Sequence, residues 1–172
     1  MSDLLIRAAT TQDVGAITRI YNHYVRTSTA TFDAEEKTAE NRAAWLAGHG
    51  PGYPVLVALA DGDVIAWGSL SEWGTRCAYR HSVEISVYVA PDAVNNGVGP
   101  RVCGRLLAEA RGARHHAVVT QIVSENVPSL KMAERLGFSE VGTLHEIGRK
   151  FDRWLDVVLM ELVLTDEPPE DS

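Results

Sequence analysis

The stretch from Arg80 to Gly99, RHSVEISVYVAPDAVNNGVG, joins a carboxylate on a strand to a glycine loop that opens a helix. Alternation puts Ser82, Glu84, Ser86 and Tyr88 on one side of that strand and Val83, Ile85, Val87 and Val89 on the other. Backbone N–H groups left free at a glycine-rich helix start make a natural cradle for phosphate. A carboxylate a few residues upstream stands where the reactive end of a phosphate-bearing cofactor would lie. The pairing of these two parts is the main clue to function.

The elements that must hold them follow from periodicity and turn chemistry. Leu4 to Arg7 is read as a first strand, and Thr10 with Asp13 as a helix cap. Val14, Ile17, Ile20, Tyr21, Tyr24 and Val25 keep helical spacing, which predicts an amphipathic helix over roughly Asp13 to Val25. A Thr-rich loop from Thr27 to Asp33 carries Phe32, and Lys37 to Ala47 reads as a second helix. Pro54 to Ala60 and Val64 to Ser71 form a hairpin about Asp61-Gly62, a favoured tight-turn dipeptide. The central strand, Arg80 to Val89, precedes a helix over Gly99 to Arg111. A strand over Ala117 to Val123, a helix from Pro128 to Leu136 stopped by Gly137, and strands Glu140 to Ile147 and Trp154 to Leu164 complete the domain. The order β-α-α-β-β-β-α-β-α-β-β lacks regular alternation, so a mixed-sheet α/β domain is expected rather than a doubly wound one. Residues 1–164 are read as one domain, and 165–172 as an acidic, disordered tail.

The chain's 172 residues suffice for one domain with a real core. A net charge of −7, without a basic run, argues against nucleic acid or an anionic membrane as partner, and permits a cationic or amine substrate. Cys77 and Cys103 form no CxxC pair, and His115-His116 lacks a further ligand at metal spacing, so neither a disulfide framework nor a metal is expected. With no leader and no long apolar run, the expected compartment is the cytoplasm, with free thiols.

Val87-Tyr88-Val89, then Val94-Asn95-Asn96-Gly97-Val98-Gly99, and later Asn126 and Glu134-Arg135-Leu136-Gly137-Phe138 resemble the acetyl-CoA loop and Asn…LGF segment of the GNAT acetyltransferase superfamily. Residues 5 to about 164 are most similar to its phosphinothricin and methionine sulfoximine acetyltransferase branch. The resemblance is carried by Ile20-Tyr21-Asn22, Thr29-Ala30-Thr31-Phe32, Gly52 through Ala58, Tyr79-Arg80, Val83-Glu84, Ser86 through Val89, Gly148, Lys150, Phe151 and Arg153 through Asp156. A lone GxG is a weak signal; so many segments in order is a strong one.

The resemblance implies the GNAT fold, a mixed and mostly antiparallel sheet flanked by helices and splayed between its central strands. It implies direct transfer of acetyl from acetyl-CoA to an amine, in a homodimer and without a metal. An ammonium must lose a proton before its lone pair can attack. Glu84 is the one carboxylate of the central strand and takes the place of the branch's base; the competing reading is a polar residue on a solvated face. A backbone N–H around Val87, Tyr88 and Val89 is implied as the donor to the thioester oxygen, at a bulge that admits the pantetheine arm. Asn95, Asn96, Gly97, Val98, Gly99, Pro100 and Arg101 are implied to meet the pyrophosphate, with Asn126 and Ser129 also on the cofactor. Phe32, Trp73, Thr75, Arg76, Arg80 and Lys150 are the implied substrate contacts, the arginines for a carboxylate.

Three departures stand out. Val94 replaces the family's Arg or Gln, Pro100 brings no N–H to the helix start, and Ala133 stands where many members place an acidic Tyr or His. Weaker coenzyme A binding is the expected result of the two in the loop, Val94 and Pro100, while Ala133 leaves the acid for the departing thiolate unassigned. Tyr88, Lys131 and His145 are stand-ins for the acid, none preferred. The leading expectation is acetylation of a small amino acid or analogue such as phosphinothricin or methionine sulfoximine or sulfone. The rivals are an acetyltransferase for a protein or polyamine amine, and a non-catalytic acyl-CoA sensor.

Overall fold

Strand alternation and helix caps set where each element begins, and the sheet they build sets where the site opens. The computed structural model describes residues 4–165. Of the expected tail, 166–172 lie outside the described residues, and Thr165 belongs to no helix or strand.

The strands are β1 (Leu5–Ala8), β2 (Val55–Ala60), β3 (Asp63–Glu72), β4 (Ser82–Val89), β5 (Ala117–Val123), β6 (Ser139–Lys150) and β7 (Arg153–Val163). The α-helices are α1 (Val14–Thr27), α2 (Ala39–Ala47), α3 (Val98–Gly112) and α4 (Val127–Arg135). They form one seven-stranded sheet in the order β1-β2-β3-β4-β5-β7-β6, in which the β4–β5 pair is parallel and the others antiparallel. The sheet is mixed, mostly antiparallel and flanked by helices, as expected from the sequence.

Local chemistry explains the boundaries. Asp13 and Thr10 make a capping box before α1, and Asp13 also takes both guanidinium nitrogens of Arg7, at 2.7 and 2.9 Å. Thr38 caps α2 by accepting from the Asn41 amide. Asp61 and Gly62 both adopt positive φ, 51° and 91°, as a two-residue hairpin turn between right-twisted strands requires. The β6–β7 hairpin runs longer than its apolar pattern suggested. It turns at Phe151 and Asp152, with φ of 50° and 57°; Asp tolerates the left-handed region, whereas Phe gives no turn signal.

Two cores lie on the two faces of the sheet. One gathers Val83, Ile85 and Val118 against Val102, Leu106 and Ala110 of α3. The other gathers Val57 and Trp67 against Ile17, Ile20, Tyr21 and Val25 of α1, with Tyr88 alongside. Gly68 lets α3 approach β3: a Cβ there would lie 2.8 Å from Leu106 Cδ1 and 2.9 Å from the Ser86 carbonyl. Among the described residues, no helix is long and apolar enough to cross a membrane.

Candidate active site

Strands β4 and β5 pair at only three positions, Ser82 with Ala117, Val83 with Val118 and Glu84 with Val119, and then part. Glu84 therefore stands at the fork. The opening needs no bulge on its other side, because β4 runs in unbroken register with β3 from Val83 to Val89. The bulge expected near Val87 to Val89 is thus corrected: divergence of two parallel strands makes the gap.

Peptide groups alternate along a strand. The amides of His116 and Ala117 donate to the carbonyl of His81, so odd-numbered residues of β4 turn their backbone groups toward β5. The Ile85 amide is taken by the Val119 carbonyl in the last ladder pair, so Val87 and Val89 turn their backbone groups to the opening beyond the fork. The Val89 carbonyl there accepts the Tyr24 hydroxyl at 2.5 Å.

Glu84 opposes Ser71, Ser86 opposes Ser69 and Tyr88 opposes Trp67, so the face above the fork grades from carboxylate through small hydroxyls to an aromatic cluster. Tyr88 stacks on Trp67 with ring centroids 4.9 Å apart and meets Tyr21 edge-on at 5.2 Å. Arg42 is 6% exposed and lies over Tyr21, 3.8 Å from the ring centroid. Burial pushes the Tyr88 phenol well above its ordinary range, which disfavours it as a proton donor or acceptor near neutrality.

Glu84 is half-buried, and burial raises its carboxyl above the usual carboxylate range, while Gln121 Nε2, donating at 3.0 Å, partly restores the charged form. A carboxylate poised upward in this way is a better proton acceptor than a fully solvated one. Gln121 escaped sequence reasoning. Its signal was a polar side chain inside the apolar run AVVTQIV.

At the far end of the opening, Asn95 and Gly97 both sit at positive φ, 66° and 72°, just before α3. A Cβ on Gly97 would meet nothing within 4 Å, so this turn faces open space. A Cβ on Gly99 would lie 3.4 Å from Met132 Sδ and 3.5 Å from Val89 Cγ2, ordinary contact distances, so the approach of α3 to α4 and β4 does not by itself require a glycine there. Val98 is buried, whereas Asn96, Pro100, Arg101 and Val94 are exposed around the turn. The exposed rim, the left-handed residues and the free helix start fit an anionic diphosphate. Across the gap Asn126 caps α4, its Oδ1 accepting from the Ser129 amide at 3.3 Å.

The expected substrate contacts fall into separate groups. Trp73, Thr75, Arg76 and Arg80 occupy the β3–β4 connection, at the end where Glu84 lies. Thr75, Arg76 and Arg80 are exposed, and Arg80 Nε reaches His81 Nε2 at 3.0 Å. Phe32 lies instead against Gly148 of β6, close to the other end of β5. Lys150 is corrected: the residue is 6% exposed and its ammonium donates to the carbonyls of Ser28 and Thr31, each at 2.7 Å, so it does not present a charge to a ligand. Of the stand-in acids, Lys131 is exposed on α4, and His145 is exposed and paired with Asp156 at 3.2 Å. Ala133 is 4% exposed within the core, where it packs as a small apolar residue. Among the described residues no group of three or more His, Cys, Asp or Glu side chains stands together as a metal site.

A model described as the acetyltransferase (GNAT) domain matches residues 6–159. The L-amino acid N-acyltransferase MnaT of Escherichia coli K12 is 39% identical over 168 residues, covering 97% of this chain and 98% of its own. The L-methionine sulfoximine/L-methionine sulfone acetyltransferase of Salmonella typhimurium LT2 is 37% identical, covering 98% of this chain and 99% of its own. The crystal structure of a phosphinothricin acetyltransferase from Sinorhizobium meliloti in complex with acetyl-CoA superposes with a TM-score of 0.92 at 30% identity, covering 99% of this chain and 95% of that one.

Proposed function

The chain belongs to the GNAT family of N-acetyltransferases, and on that premise we propose that it acetylates the α-amine of a small amino acid or analogue, with acetyl-CoA as donor. Methionine sulfoximine, methionine sulfone and phosphinothricin are the acceptors to try first, because relatives are named for them. The observation that carries this reading is Glu84, half-buried at the fork of β4 and β5, with Arg76 and Arg80 on the connection at the same end.

In this reading acetyl-CoA lies along the opening. Its diphosphate meets the turn Asn95–Gly97 and the first amides of α3, with Arg101 nearby and Asn126 and Ser129 across the gap. The amide of Val87, the first of its set beyond the fork, is the candidate to receive the negative charge that gathers on the thioester oxygen. Arg80, with Arg76, holds the acceptor's carboxylate as a charge-assisted pair. Glu84, directly or through water, takes the ammonium proton and so frees the lone pair for attack. No residue is assigned to protonate the departing thiolate, which is a fair leaving group in its own right. The acting form is a cytoplasmic homodimer, supported by the exposed apolar row on β6 and β7 and by two free cysteines.

The test is a product assay with acetyl-CoA and a panel of these amino acids, standard amino acids, polyamines and a peptide N-terminus. Acetylation of an amino acid, reduced about 100-fold or more in Glu84→Gln, supports the reading. Full activity in that variant removes Glu84 from the chemistry. Binding of acetyl-CoA without turnover of any amine overturns the enzyme assignment.

A further inference from the structure

Lys150 is a buried lysine whose ammonium has no carboxylate bonded to it among the described residues. It donates to the carbonyls of Ser28 and Thr31 at 2.7 Å each, and it lies 3.5 Å from that of Tyr24. Tyr24 belongs to the last turn of α1 and Ser28 is its C-cap. The last carbonyls of a helix lack intrahelical donors and carry the negative end of its dipole, so a cation there is well placed. Burying an ammonium is nonetheless costly. Capping α1 alone does not call for so long a reach, 122 residues along the chain.

The neighbouring contacts converge on one loop, residues 28–33, and on one turn, residues 148–153. Phe32 rests on Gly148 so closely that a Cβ there would lie 2.2 Å from the ring. Thr29 Oγ1 donates to Glu125 at 2.7 Å, and Glu125 takes both guanidinium nitrogens of Arg153 at 3.0 Å. At the loop's other side, the Tyr21 hydroxyl bonds Thr31 and Asp33, and Tyr21 packs edge-on against Tyr88 of β4. The loop thus stretches from above β4 to the residue that follows β5 by two, across the opening between them and on the face that carries Glu84. With a bare Gly148 and a buried Lys150, the β6–β7 turn is shaped to receive it.

We propose that Lys150 is a positioning residue for the acceptor: it fixes loop 28–33 over the opening and thereby sets the wall, Phe32 foremost, against which the amino acid binds. This rests on the amino-acid acetyltransferase reading. Lys150 touches neither reacting group; it acts through the loop. Removal of its ammonium frees two carbonyls and lets the loop move, so the acceptor pays for ordering it, while the diphosphate turn at α3 is untouched.

The test compares wild type with Lys150→Met, which keeps an unbranched apolar stem, and with Gly148→Ala, which dislodges Phe32 without altering charge. Steady-state kinetics and hydrogen exchange of the backbone amides of 28–33 are read on the same preparations. We expect the acceptor KM to rise about 10- to 100-fold in both variants. The acetyl-CoA KM and kcat stay within about twofold, and exchange quickens in loop 28–33 but not in β4 or α3. Unchanged exchange in the loop overturns the proposal whatever the kinetics show. Equal losses toward both substrates also overturn it, as a general structural defect. Should wild type acetylate no amine, the functional reading fails, yet hydrogen exchange still decides whether Lys150 holds the loop.

Discussion

At the scale of single residues, Glu84 shows how a strand position becomes a chemical group. Burial raises its carboxyl and the Gln121 amide pulls it partly back. A base works only when ionised, so kcat/KM should climb with pH through an inflection above the ordinary carboxylate range, and Glu84→Gln should abolish that inflection. The stability consequence has the opposite sign to that of a salt-bridged acid. A carboxyl whose pKa is raised by folding costs stability once ionised, and the cost fades as pH falls below its unfolded value. Glu84→Gln should therefore melt at or above the wild-type temperature at neutral pH, with the difference vanishing in acid. Thermal denaturation at the two pH values checks this; a lower melting temperature at neutral pH would mean that Glu84 is held for structure. Asp13 is the contrasting case. The Arg7 guanidinium holds its carboxyl low, so its contribution is present above the ordinary carboxylate value and is lost as pH falls through the lowered one.

At the scale of elements, the start of α3 is where the chain departs from the loop pattern that the resemblance supplies. Positive φ at Asn95 and Gly97 shapes the turn, Val94 leaves an apolar side chain exposed beside it, and Pro100 occupies the third helical position without an N–H. A hydrogen bond to a charged group contributes on the order of 1.5–3 kcal/mol. Pro100→Ala restores one donor where φ already suits a helix, and calorimetric titration should find acetyl-CoA bound about tenfold more tightly or better. Equal affinities would place the diphosphate away from this turn. The same helix shows why its glycines are not interchangeable. Gly97 holds a left-handed conformation with room around it and a side chain at Gly99 would meet ordinary contacts, whereas at Gly68 of β3 the neighbouring α3 and β4 press too close for a Cβ.

At the scale of the whole molecule, the outer hairpin of the sheet is conspicuous. Strand β6 is an edge, and its Val141 and Ile147 (57% exposed each), with Phe151 of the turn (50%) and Trp154 of β7 (61%), leave apolar surface of the hairpin open. A long apolar edge invites pairing with another chain. Sedimentation should find a dimer, and the double substitution Ile147→Glu with Trp154→Glu should release folded monomer. A wild-type monomer at micromolar concentration would remove the dimer from the proposal. Because the same hairpin carries Gly148 and Lys150, this experiment also asks whether the acceptor loop depends on assembly.

Period-two alternation alone gave the face of Glu84, and helical spacing with caps gave α1, α3 and α4, because these are local rules: the pleat and the helix repeat act over a few residues wherever the chain goes. Asp61-Gly62 declared its hairpin for the same reason. Other features depended on residues distant in the chain. Nothing near Lys150 in sequence says that its ammonium is consumed by carbonyls more than a hundred positions away, nor that Gly148 is bare to seat Phe32. The opening at Glu84 belongs to neither β4 nor β5 alone; it exists because two parallel strands pair for three residues and then diverge. The residue types determined which chemistry was on offer. The tertiary structure decided which groups remained free to perform it, since a charge already spent on the fold has none left for a ligand.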